Sequence, residues 1–166
     1  MRRRALIALA PAAVGSLAAL GGCGFELRRP PDLPFSRLAL AGFAPRSPLA
    51  DEIKRTLALT LEVVEQMNRA EAVLQSLADR REKSVTASTA AGQVRGIQLR
   101  VRFEFRLVTP GGREYIPDTV LQLARDMSYS ETFALAKEQE EQQLYAALQT
   151  DVVQLLMRRL AEVKKG

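Results

Sequence analysis

From Ile97 to Leu107 the chain alternates without a break. Ile97, Leu99, Val101, Phe103, Phe105 and Leu107 are apolar, and Gln98, Arg100, Arg102, Glu104 and Arg106 stand between them. Strand side chains point to opposite faces in turn. Eleven residues of this pattern therefore predict a strand with one face on a core and the other on something polar, the arrangement of an antiparallel sheet covered on one side. Thr109-Pro110-Gly111-Gly112-Arg113 supplies a hairpin turn. A second strand is expected to run on to Tyr129, with Leu121, Leu123, Met127 and Tyr129 on one face. Arg125 interrupts that face, and packing alone does not explain it.

The elements around this hairpin are read from periodicity and caps. Arg37 to Phe43 is a short strand by its apolar Leu38 and Leu40. Ser47 can cap a helix with Pro48 at its first position. Leu49, Ile53 and Leu57 then fall four apart on one face, and the helix is expected to end near Thr60. Residues 72–90 fit helix or strand by apolar pattern alone. The β-prone Ser84-Val85-Thr86-Ala87-Ser88-Thr89 favours a strand, straight or bulged, before a turn at Ala90-Ala91-Gly92-Gln93. From about Phe133, Leu144, Leu148, Val152, Leu155, Leu156, Leu160 and Val163 form a stripe at helical spacing. Its first turns carry Glu138, Glu140 and Glu141 and its end Arg158, Arg159, Lys164 and Lys165, an order that suits the helix dipole. The expected fold is α+β: two helices packed on one face of a mainly antiparallel four-stranded sheet.

The N-terminus has a different character. Met1-Arg2-Arg3-Arg4 precedes an apolar run from Ala5 to Leu20, then Leu20-Gly21-Gly22-Cys23. A basic start, a short apolar stretch and small residues before a cut describe a secretory signal. The run is short for a span, which takes about 20 apolar residues. The expected organisation is a lipoprotein signal peptide over 1–22, a lipidated tether over 23–36 extended by Pro30, Pro31 and Pro34, and one domain over 37–166. Leu20 to Cys23 resembles a bacterial lipobox, which makes Cys23 the acylation site and its lipid the membrane anchor. Cys23 is the single cysteine, so no intrachain disulfide is possible. Gly24 stands where, in the best-known sorting rule, an aspartate would retain a lipoprotein in the inner membrane. The outer membrane is therefore expected.

Charge and chemistry narrow the function. The chain has 24 bases and 19 acids, a net of +5. Residues 1–22 hold three arginines and no acid, so the remainder carries 21 bases against 19 acids, a net of +2. The sequence pI of 9.8 therefore overstates any case for nucleic acid, and no nucleic-acid partner is expected. There is no histidine, which removes the Ser-His and Cys-His bases and the common zinc motifs. No P-loop or Gly-x-Ser-x-Gly elbow is present. Glu138, Glu140 and Glu141 read as a solvated helical turn rather than a catalytic cluster. Neither an enzyme nor a cofactor or metal is expected, apart from the covalent lipid.

Several segments together resemble a family. Gly22-Cys23-Gly24-Phe25-Glu26-Leu27-Arg28, then Gly92-Gln93 before the alternating strand, Arg125-Asp126-Met127-Ser128-Tyr129, and Ala134-Leu135-Ala136-Lys137-Glu138-Gln139-Glu140 are similar in order and spacing to the LPS-assembly lipoproteins of the LptE (RlpB) family. The resemblance implies two helices on a four-stranded sheet and a non-enzymatic outer-membrane lipoprotein. Such a protein plugs the lumen of the LptD β-barrel, assists the barrel's assembly, binds lipopolysaccharide and helps deliver it to the outer leaflet. It also implies a lipopolysaccharide contact at Lys137. The family's second basic position falls at Ala90 or Ala91 here, a mismatch for which Arg80, Arg81, Lys83 and Arg95 are the candidate substitutes. The alternative is a structural outer-membrane lipoprotein that binds only a protein partner.

Overall fold

The computed structural model describes residues 32–164. The expected signal peptide, Cys23 and most of the tether lie outside them. Five strands, β1 (Arg37–Ala41), β2 (Glu62–Val64), β3 (Ala72–Ser88), β4 (Val94–Val108) and β5 (Glu114–Ser128), form one sheet in the order β2-β1-β3-β4-β5. Two helices, α1 (Pro48–Leu57) and α2 (Ala134–Ala161), accompany it. β1 runs parallel to both β2 and β3, and the β3-β4 and β4-β5 ladders are antiparallel. The α+β class and the two helices match expectation, and the mainly antiparallel four-stranded sheet is corrected to a five-stranded mixed one. β2 has only three residues, too few to show a period. Strand direction is set by the α1 crossover, and alternation carries no record of it.

The predicted phase of β4 holds throughout. Leu99, Phe103, Phe105 and Leu107 are fully buried and Ile97 and Val101 nearly so. They share one core with Leu49, Ile53 and Leu57 of α1 and Leu148, Val152, Leu156 and Leu160 of α2. Phe103 stacks on Phe105 at 5.4 Å and on Phe43 at 5.9 Å. Ser47 caps α1 as anticipated: its Oγ accepts from the Ala50 N–H. The helix stops at Leu57, short of the expected Thr60. Ala39, Val64, Ala70, Val73 and Val108 form a smaller apolar cluster. Each of Ala39, Val73 and Val108 adjoins a residue of the main core, so this cluster lies on the other side of the sheet. The remaining opposite face is polar. Arg100 pairs with Glu82 at 3.2 Å, Arg102 with Glu104, and Arg106 donates to Gln75 at 2.7 Å.

The long strands give the domain two poles. At one, Phe35 is buried and lies 5.3 Å from the Tyr115 ring at the start of β5. Leu33 also packs on the core, so the domain takes in the last residues expected of the tether. The Thr109–Arg113 hairpin and the α2 C-terminus lie here too, because Val163 joins the core beside Tyr115. The opposite pole holds the Thr89–Gln93 turn, the end of β5 and the start of α2.

Candidate functional site

The second pole is polar because β3 changes phase. Leu74 and Ser76 face the core, and the register to β4 then slips between Ser76 and Ala78. One extra residue reverses which side chains point inward. Beyond the slip, Asp79, Arg81, Lys83 and Val85 stand beside the inward Phe103, Val101, Leu99 and Ile97. The half of α2 above them has no buried residue from Ala134 to Ala147. Helix and sheet are joined here by partly buried Leu144 and Tyr145 and by polar bonds.

Those bonds involve most of the candidate bases. Arg81 Nη2 donates to Gln149 Oε1 at 2.6 Å, and its guanidinium lies 5.5 Å from the Tyr145 ring centroid. Gln149 is only 7% exposed, and its Nε2 donates to Glu52 Oε2 at 2.6 Å and to the Pro48 carbonyl. Arg81 is thus part of a clasp joining β3, α1 and α2. Lys83 Nζ pairs with Glu141 Oε2 at 2.5 Å, and that hydrogen bond pushes its ammonium above the ordinary lysine value. Tyr145 donates to the Glu82 carbonyl at 2.8 Å, and burial raises its phenol. Lys137 lies folded back, with its side chain 18% exposed, donating to Ser128 Oγ at 3.1 Å and Glu140 Oε2 at 2.7 Å.

The candidate bases do not all gather. Ser128, the partner of Lys137, pairs in register with Gly96, next to Arg95, whose Nη2 donates to Gln93 Oε1 at 3.0 Å. Arg95 also lines a cavity of about 70 Å³ with Ser130, Glu131 and Thr132. Lys83 is joined to α2 one helical turn from Lys137. Lys137, Lys83 and Arg95 therefore share one pole, and Arg81 is fixed further along α2. Arg80 lies on the opposite face, in register with Arg102, and does not join them. Ala90 and Ala91 sit in the exposed turn. Ser128, Glu140, Glu141 and Gln149 were not singled out as partners from the sequence. Only the spacing of Lys137 and Glu140, three apart on one helix, signals such a pair. Arg125 is now explained: facing α2, its Nη2 reaches Asp151 Oδ2 at 2.9 Å. Among the described residues no group of acids or cysteine could hold a metal, and no helix is long and apolar enough to cross a membrane.

A mixed sheet with two helices on one side, ending in a pole of paired lysines and glutamates, defines a small α+β domain. Among solved structures it is similar to uncharacterized lipoprotein B of Nitrosomonas europaea, with a TM-score of 0.72 and 28% identity, covering 83% of this chain and 90% of that one. It is similar in fold to rare lipoprotein B of Shewanella oneidensis, with a TM-score of 0.65, 22% identity and 75% and 93% coverage. The minor lipoprotein of Acinetobacter baumannii gives a TM-score of 0.64, 21% identity and 78% and 92% coverage. No curated protein matches. Residues 35–160 match the family model LptE, described as lipopolysaccharide-assembly, and the chain belongs to that family.

Proposed function

We propose that this protein is an outer-membrane lipoprotein, anchored through lipid on Cys23, that binds lipopolysaccharide at the Lys137 pole and plugs the LptD β-barrel. In that role it assists assembly of the barrel and delivery of lipopolysaccharide to the outer leaflet, without catalysing a reaction. The supporting observation is the family match over residues 35–160. Physical fit agrees with it. A wide barrel has a lumen that its own side chains do not fill, and a compact sheet-and-helix domain occupies such a space. Lipid A phosphates suit lysine ammonium groups, which form charge-assisted hydrogen bonds with them.

Lys137→Asp is expected to weaken binding of purified lipopolysaccharide by about tenfold to a hundredfold, since a charge-assisted hydrogen bond is worth roughly 1.5–3 kcal/mol and the aspartate adds repulsion. Binding to the mature protein in mild detergent measures this, with circular dichroism as the folding control. Unchanged affinity in a folded variant removes Lys137 from the site. Recovery of a large β-barrel with the native lipoprotein tests the plug. A protein-only role is the second reading, and the internal pairing of Lys137 with Ser128 and Glu140 favours it. Under it the barrel is recovered while lipopolysaccharide fails to bind.

The anchor has its own test. The intact mass of the purified protein should correspond to a chain starting at Cys23 plus lipid, and Cys23→Ser should leave an unlipidated precursor. A mature chain beginning at residue 23 without added lipid mass ends the claim.

A further inference from the structure

Two adjacent glutamates on α2 each hold a different lysine. Glu140 holds Lys137, which comes from its own helix, and Glu141 holds Lys83, which comes from β3. Glu138, two residues earlier, is exposed and makes no ion pair among the described residues. A carboxylate offers a lysine one negative charge, whereas a phosphate monoester offers about −1.5 to −2 and three acceptor oxygens. The Glu140 side chain is 44% exposed and that of Glu141 20%, so both carboxylates border water into which they can pass when displaced.

We infer that Glu140 and Glu141 hold the places of two phosphates, so that an anionic glycolipid enters by exchange, displacing both carboxylates, and a ligand with two phosphates is selected over one with a single phosphate. The inference rests on the proposed binding of lipopolysaccharide at this pole. One phosphate frees one lysine and leaves the other neutralised by its glutamate. Two phosphates engage both cations, one on the helix and one on the sheet. Selectivity follows from the guards, because an unguarded lysine would accept any passing anion.

The test uses the mature protein in mild detergent with two probes, purified lipopolysaccharide and the same material stripped of one lipid A phosphate. Glu140→Gln and Glu141→Gln keep the shape of the side chain and remove its charge. Each is expected to tighten binding about twofold to fivefold, the scale of releasing a partly exposed ion pair, while Glu138→Gln leaves it within about 1.5-fold. Preference for the doubly phosphorylated probe should shrink in both guarded-lysine variants. An equal gain from Glu138→Gln would overturn the exchange in favour of overall charge. No gain at Glu140 or Glu141, with Lys137→Asp still weakening binding, overturns the exchange and leaves the binding site standing. No effect of any of the four substitutions removes both.

Discussion

Phe103→Ala should lower stability by about 3–5 kcal/mol, the cost of truncating a buried aromatic ring. Phe103 is fully buried between Phe105 and Phe43, and these rings cannot close over the space it leaves without losing their own stacking. For a domain of this size the melting temperature is expected to fall by roughly 10–15 °C. Arg102, one residue earlier, points to the opposite face and pairs there with Glu104. Arg102→Ala removes a partly exposed ion pair, worth about 0–1 kcal/mol. Thermal melts of the two variants measure the strand phase directly, and equal shifts would contradict it.

Gly42→Ala is expected to cost about 2–5 kcal/mol. Gly42 has φ +76 at the end of β1, and a Cβ there would meet the Ser76 carbonyl oxygen well inside van der Waals contact. An alanine meets about 1–2 kcal/mol from the left-handed conformation and about 1–3 kcal/mol from overpacking against a backbone atom. Gly92 provides the comparison, since it has φ +79 with nothing near the Cβ position. Gly92→Ala should therefore carry only the first cost, about 1–2 kcal/mol. Chemical denaturation of both variants separates the two contributions. A loss at Gly42 no larger than at Gly92 would show that β1 and β3 can move apart there.

The parts legible in the sequence were those with a period. The alternation of β4, the stripe of α2, and Ser47 with Pro48 at α1 each state a face or a boundary through residue type alone. What was not legible depended on distance along the chain. β2 is three residues and borrows its place from the parallel ladder with β1. The slip after Ser76 leaves β3 apolar inward on one side of it and charged on the other, so residues 72–90 have no single period to read. That slip also hid the site. Lys83 and Arg80 look equivalent in the chain, yet β3 turns one toward Glu141 and the other to the far face. Lys137 stands out only through family resemblance, since its spacing to Glu140 signals an ordinary helical ion pair and no ligand contact.

β4 runs 15 residues between the two poles. At about 3.4 Å per residue it is roughly 50 Å long. A bilayer with its headgroups is about 40–45 Å thick. The strands therefore make a depth gauge of membrane scale. The sheet thus holds the Phe35 pole and the Lys137 pole apart by about the thickness of a bilayer, fixed by strand length alone.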